Sequence, residues 1–310
     1  MRGGRSRSRT RNPAKLLRMT VLNIIGGGRV GRTLARVWAL NGAFAIGDVL
    51  DRTLAASADA VAFIGTGRAV DALADMRRAD VWMLTPPDDQ IVACCAALAA
   101  TGLLAPGNVV FHCSGALPSR DLAAATARGA AVASVHPLKS FADSAIAART
   151  FEGTYCAAEG DAAALAVLRP AFERIGARVS GIEPEFKTIY HAASVIVCNY
   201  LTALLETGIR SYEKSGLKRD DALRMMEPLV RETLDNVFRL GTVRALTGPI
   251  ARGDQAVVAR QLEALAAWDP RVAAIYRQLG AVAVELARAQ GSADQESLVA
   301  IERTLSAKNP

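Results

Sequence analysis

The sequence predicts an α/β fold, a doubly wound and mostly parallel sheet followed by an all-helical region. Three observations carry this. Short β-branched and aliphatic runs alternate with helical segments between Val21 and Ile182. A glycine cluster, Gly26-Gly27-Gly28-Arg29-Val30-Gly31, joins the first run to the first helix. From Glu185 onward the strand signals stop and a helical period takes over.

Taken in order, Val21-Leu22-Asn23-Ile24-Ile25 reads as a strand, and the segment from Arg29 to Leu40 as a helix. Residues 43–50 form a second strand, and Asp51-Arg52-Thr53 opens a second helix. Gly65-Thr66-Gly67 has no clear strand before it and reads as a loop. Residues 80–84 form a strand stopped by Thr85-Pro86-Pro87, and Asp88 is expected to cap the Ala-rich helix that follows. Residues 109–113 and 130–135 are strands, ending at Ser114-Gly115 and at His136-Pro137. Two more, at 154–158 and 178–182, flank a helix over 162–175. Beyond them Leu223, Met226, Val230, Leu234 and Val237 share one helical face, and Leu262, Leu265 and Ala266 another. The expected division is a basic tail over 1–18, a dinucleotide-type domain over 19–183 and a helical domain over 184–310.

Composition narrows the function classes. At 310 residues, with 51% hydrophobic and 22% charged, the chain can bury a large core, so collagen-like and wholly disordered classes are out. The longest nearly apolar run, residues 91–105, falls short of the roughly 18 residues of a membrane span, and no membrane partner is expected. The formal net charge of +7 is matched by Arg2, Arg5, Arg7, Arg9, Arg11, Lys15 and Arg18 alone. Residues 19–310 are therefore balanced, and no nucleic-acid partner is expected. The tail reads as a disordered extension that plays no part in the fold. Five cysteines in an odd, unpatterned set point to a reducing cytoplasm, and three histidines without ligand spacing predict no metal.

The glycine cluster fits G-x-G-x-x-G in the context the motif requires, after a strand and at the start of a helix. Gly26 allows the tight turn, Gly28 a close approach of pyrophosphate, and Gly31 close packing of helix on sheet. Arg29 and Val30 complete the turn, with free N–H groups that favour an anion. At the end of the second strand an acid would grip a ribose 2′-hydroxyl and an arginine a 2′-phosphate. Asp51 and Arg52 stand there together, followed by Thr53. The forked guanidinium of Arg52, with Arg29 and Arg32 beside the turn, favours NADP over NAD.

In such a sheet, ligands lie outside the carboxyl ends of the strands. Thr85, Pro86 and Pro87, Ser114, and His136 end strands there. On the next helix Lys187, His191, Ser194 and Cys198 follow at spacings of 4, 3 and 4 and form one polar stripe, with Asn199 at its margin. Hydride delivery to a carbonyl or imine carbon needs a proton donor at the heteroatom, and His191, His136 and Lys187 have that chemistry. Arg252 is a candidate clamp for a substrate carboxylate, and Asp254 a helix N-cap.

Several segments together resemble a family of Rossmann-like oxidoreductases with a helical C-terminal domain of unknown function. They are the glycine turn from Ile25 to Gly31, Phe111-His112-Cys113-Ser114-Gly115-Ala116-Leu117, Ser134-Val135-His136-Pro137-Leu138-Lys139-Ser140-Phe141, Tyr190-His191-Ala192-Ala193 with Asn199-Tyr200-Leu201, and the stretch from Ala245 to Asp254. Its distant relatives include ketopantoate reductase, prephenate dehydrogenase and the deazaflavin-dependent NADP oxidoreductases. The resemblance implies a Rossmann-type fold and a nicotinamide cofactor, and leaves the substrate open. It also implies that Lys187 corresponds to a lysine, and Asn199 or His191 to an asparagine, that bind and protonate substrate in the related dehydrogenases.

The expected activity is therefore NADP-dependent hydride transfer with a small, acidic carbonyl or imine compound. A non-catalytic NADP-binding sensor or scaffold and a deazaflavin-linked NADP reductase are the alternatives. The helix over 272–289 is apolar on several faces, from Val272, Ile275 and Leu279 to Val282 and Leu286, which predicts a two-fold homodimer covering it.

Overall fold

The computed structural model describes residues 19–307, so the basic tail lies outside the described residues. The chain divides into two compact units, after Val197 and from Cys198. The expected boundary at 183/184 falls earlier, because the helix Lys187–Val195 stays with the sheet, its first side chain buried there.

The first unit is built on one eight-stranded sheet in the order β3-β2-β1-β4-β5-β6-β7-β8. The strands are β1 Val21–Ile25, β2 Ala45–Leu50, β3 Arg68–Val70, β4 Val81–Leu84, β5 Val109–His112, β6 Ala131–Pro137, β7 Tyr155–Gly160 and β8 Arg178–Gly181. The six strands from β3 to β6 run parallel. β7 reverses against β6, with Ser134 opposite Glu159, and β8 follows β7 in parallel. The central strands β4 and β5 are buried throughout, as a sheet covered on both faces requires.

The helices α1 Arg29–Asn41, α2 Leu54–Ile64, α3 Asp88–Ala100, α4 Ala123–Thr126, α5 Ser144–Arg149, α6 Ala162–Arg174 and α7 Lys187–Val195 complete this unit. One core layer centres on Trp38, whose ring meets Phe44, Phe111 and Phe172 edge to face at 5.3, 6.3 and 5.0 Å. Such pairs add about 0.5–1.5 kcal/mol each beyond their burial. On the other face Trp82, Ile91, Leu98 and Val110 form the second layer.

Two elements depart from expectation. β3 follows Gly67 directly, although three residues are too few to carry a two-residue period. It is held by buried Asp48, which accepts from Arg68 Nε and Nη2 at 2.9 Å each and from Arg77 Nη2 at 2.6 Å. Burial alone would raise the Asp48 pKa, but these hydrogen bonds outweigh it and hold the carboxyl well below the usual range. The second departure is Asp88. Pro87 occupies the cap of α3, and Asp88 is the first helical residue, with its carboxylate turned elsewhere.

The second unit is helical: α8 Leu201–Lys214, α9 Arg219–Leu240, α10 Thr242–Ala245, α11 Gln255–Trp268, α12 Pro270–Gln290 and α13 Gln295–Ser306. Asp254 caps α11 as expected, accepting from Val257 N at 3.2 Å. The core of this unit joins Ile250, Val258, Val284, Ala287, Leu298, Ile301 and Leu305, which come from α11 to α13 and the turn before them. α9 buries only Ala222 and leaves Leu223, Met225, Leu229 and Phe238 exposed. Between α7 and α8, residues Ile196–Tyr200 make one π turn. The helical stretch Pro184–Lys214 is long and apolar enough to cross a membrane by length and composition. His191, Ser194 and Asn199 interrupt it, so it forms no unbroken apolar run in the sequence.

Candidate active site

The glycine turn is shaped as its motif demands. Gly26 has φ +101°, and a Cβ there would overlap the backbone of Thr85. A Cβ on Gly31 would overlap the carbonyl of Gly26. Thr85 Oγ1 donates to that carbonyl at 2.7 Å, and Gly26 N donates to Leu50 O at 2.8 Å. The turn is thus pinned to both neighbouring strands. Gly28 differs, because a Cβ there meets nothing within 4 Å. It caps α1 with no side-chain hydrogen bond, so the helix N-terminus presents N–H groups to an open space. That combination fits a pyrophosphate.

The charged residues around the turn have separate roles. Arg32 is committed to it, donating from Nε to Gly27 O at 2.8 Å and from Nη1 to Asp59 at 2.6 Å. Arg29 and Arg52 are exposed. Asp51 Oδ1 accepts from Arg52 N at 2.7 Å, while Oδ2 lies 3.3 Å from the Cβ position of Gly27. Thr53 caps α2, accepting from Ala56 N at 3.2 Å.

At the carboxyl ends of β5 and β6 the fold gathers Ser114, His136, Lys187 and His191. Ser114 Oγ donates to Asp88 Oδ2 at 2.7 Å and accepts from the N–H groups of Ala116 and Leu117. His136 Nδ1 lies 2.9 Å from the Tyr190 hydroxyl. The rings of His136 and His191 meet edge to face at 5.9 Å. Lys187, 1% exposed, turns into the sheet, where Nζ donates to Ser134 Oγ and stands 3.4 Å from Glu159 Oε1. Glu159 is itself buried and accepts from Ser119 N at 2.7 Å and Ser119 Oγ at 2.6 Å. Ser194 donates to Tyr190 O at 3.4 Å. Asn199 and Arg252 are exposed residues of the second unit, and the cluster on the sheet is built without them.

Sequence reasoning assigned no role to Asp88, Ser134, Glu159, Tyr190 or His112 in this cluster. Glu159 carries a signal, as the one acid in an otherwise uncharged strand, but the strand expected from the sequence ends at Ala158, two residues short of the observed end at Gly160. His112 ends β5 in full burial, its Nδ1 accepting from Ser114 N at 3.2 Å.

Burial, together with the nearby Lys187 charge, pushes both His112 and His136 down to about 4. Both rings are therefore neutral at pH 7. The stabilisation tied to these neutral rings is complete above their ordinary value of 6.5 and is lost as pH falls toward about 4. The urea midpoint is expected to drop between pH 7 and pH 5. An unchanged midpoint would mean that the rings are solvated in the folded chain.

Comparison with known proteins matches two parts of the chain to family models. Residues 6–137 match the Rossmann-like domain. Residues 154–283 match a domain of unknown function, DUF2520. A protein from Thermotoga maritima superposes with a TM-score of 0.70 at 26% identity, over 87% of this chain and 99% of that one. A candidate NADP oxidoreductase from Bacteroides fragilis gives 0.65 at 21%, over 86% and 98%. An imine reductase from Myxococcus stipitatus, solved in complex with NADP+, gives 0.60 at 18%, over 90% and 98%. These are likenesses of fold. The comparison with curated proteins gave no match.

Proposed function

From a chain that joins a Rossmann-like domain to a DUF2520 domain, we propose a nicotinamide-dependent oxidoreductase acting on a small carbonyl or imine compound. One observation carries this reading: an uncapped helix N-terminus beside an open glycine turn shares a sheet edge with two histidines that have a ring nitrogen over Gly115. Gly26, Gly27, Gly28, Arg29, Val30 and Gly31 would hold the pyrophosphate, with Thr85, Pro86 and Pro87 as the neighbouring wall. When bound, the cofactor supplies the hydride that the substrate carbon gains. The double-bond pair then moves to oxygen or nitrogen, which takes one proton. The proposed source of that proton is His191, while His136, already neutral at pH 7, orients the heteroatom. Lys187 serves as a positioning residue, because its ammonium is sealed against Ser134 and Glu159. Ser114 orients Asp88 in the same wall, and Asn199 and Arg252 belong to the second unit. That Lys187 and His191 turn to the sheet edge favours turnover over a sensor role.

NADP is the proposed cofactor, with NAD weaker. Arg52 supports it, and Asp51, facing the turn, opposes it. Calorimetric titration with NADPH and NADH decides between them. Arg52→Ala is expected to lower the NADPH-to-NADH affinity ratio about tenfold, the loss of one charge-assisted contact of roughly 1.4 kcal/mol. An unchanged ratio removes Arg52 from the 2′-phosphate site.

The partner we propose for the second unit is a second copy of the chain. Leu204, Met226, Ile250, Leu265, Ile275 and Leu279 line a groove of about 540 Å³. α9 offers exposed Leu229 and Phe238, and α12 exposed Ile275, Leu279 and Val282. A unit whose own core involves only α11 to α13 and the turn before them leaves the α8–α9 hairpin to be covered, and a two-fold pair covers both hairpins at once. Light scattering at micromolar protein is expected to give about twice the chain mass; a monomer refutes the pairing. The five unpaired cysteines favour a cytoplasmic setting.

A further inference from the structure

We propose that Asp88 is a substrate-binding carboxylate, and that it selects a substrate whose reacting nitrogen carries positive charge, an iminium that becomes an amine. The reaction rests on the oxidoreductase reading, whereas the binding of a cation at Asp88 stands without it.

Ser114 holds the position expected of a substrate contact, at the end of β5, but its hydroxyl is fully engaged. A serine hydroxyl has one hydrogen to donate and two lone pairs. Ser114 Oγ donates to Asp88 Oδ2 at 2.7 Å and accepts from Ala116 N at 3.1 Å and Leu117 N at 3.0 Å. No hydrogen bond is left for a ligand, so Ser114, which is buried, acts through Asp88. Their bond draws the Asp88 side chain from the start of α3 toward the end of β5, along the edge where ligands of a parallel sheet lie. Asp88 is exposed there, and Oδ1 has no hydrogen-bond partner among the described residues.

Charge decides what Oδ1 can hold. Lys187 is sealed against Glu159, with Nζ 3.4 Å from Oε1. His112 and His136 are neutral at pH 7. The Asp88 charge reaches both His136 and Lys187, so it belongs to the same neighbourhood. Asp88 itself forms no ion pair among the described residues. Its carboxylate is thus set to receive a cation from outside the chain.

An imine becomes a better hydride acceptor when its nitrogen takes a proton, here from His191. Positive charge then sits on the substrate and no longer on the ring. The iminium carbon gains a hydride, and the C=N π pair becomes the nitrogen lone pair. The amine so formed takes a proton from water and is a cation again. A carboxylate holds the nitrogen on both sides of the step through a charge-assisted hydrogen bond. A ketone follows the opposite course. Its oxygen gains negative charge as hydride arrives, and a carboxylate beside it opposes that gain. The same repulsion disfavours an acidic group at this end of a substrate.

The test is a titration at neutral pH, read by saturation-transfer NMR, on the chain alone and with NADPH. The probes are three five-membered rings: pyrrolidine, a cation; tetrahydrofuran, neutral; and cyclopentanecarboxylate, an anion. Pyrrolidine is expected to bind at least about tenfold more tightly than the other two. Asp88→Asn should lower the pyrrolidine-to-tetrahydrofuran affinity ratio about tenfold. Asp89→Asn removes the neighbouring carboxylate of the same helix turn and should leave the ratio unchanged. Ser114→Ala should lower the ratio as well, which a merely structural role would not do. A ratio unmoved by Asp88→Asn, or lowered equally by Asp89→Asn, overturns the assignment of Asp88. Tetrahydrofuran or cyclopentanecarboxylate bound as tightly as pyrrolidine overturns the selection of a cation. Loss of the oxidoreductase reading would look different: no NADPH binding, with pyrrolidine still held through Asp88.

Discussion

Gly28→Ala is expected to leave the melting temperature within a few degrees of wild type and to weaken dinucleotide binding at least about tenfold, roughly 1.4 kcal/mol or more. The expectation follows from the empty space around this residue, since a methyl group there meets no protein atom within 4 Å. Alanine is a poorer N-cap than glycine, but the difference stays below the roughly 1 kcal/mol of losing a side-chain cap, which moves the melting temperature by only a few degrees. The methyl group therefore intrudes only on a ligand seated against the helix N-terminus. Gly26→Ala is the contrasting control. It would overlap Thr85 at a positive φ and should lower stability as well as binding. Scanning calorimetry and fluorescence titration with NADPH separate the two cases. Full NADPH affinity in Gly28→Ala would place the pyrophosphate elsewhere.

The largest stability effect is expected at the buried pair. Lys187 and Glu159 are 1% and 3% exposed, so removing either charge strands the other away from water. Lys187→Met and Glu159→Gln are each expected to cost about 3–5 kcal/mol, far above the 0–1 kcal/mol of an exposed pair. The double variant should lose less than the two single losses combined. Burial lowers the pKa of Lys187, and the neighbouring Glu159 works against that shift without cancelling it. Urea unfolding of the three variants measures the coupling. Single losses below about 1 kcal/mol would mean that water reaches the pair.

Much of this architecture is legible in the sequence because its signals are local. The glycine turn, the strand starts and Asp254 as a cap each depend on residues within one turn of chain. Ser114 and His136 are also found by position, because strand ends mark the ligand edge of a parallel sheet. Asp88 departs from the capping role its position suggests, because Ser114, at the end of the next strand, takes its carboxylate. Lys187 and Glu159 could not be paired from spacing. Their contact needs the reversal of β7 against β6, and no local pattern announces strand direction. β3 escaped for a different reason, because its stability comes from Asp48 and Arg68, held across neighbouring strands.

The reversed strand pair also sets an order of assembly. The parallel strands from β3 to β6 are complete once residue 137 has been made, and with them the glycine turn. Glu159 arrives later and must wait for Lys187, 28 positions further along the chain. Until that helix is synthesised, a carboxylate destined for burial has no counter-charge, so β7 gains little by docking early. Tyr190 and His191 follow within a turn of Lys187. During synthesis a chain should thus pass through a state that has the glycine turn but lacks the paired rings of His136 and His191, and closing the ion pair is the event that brings those rings together.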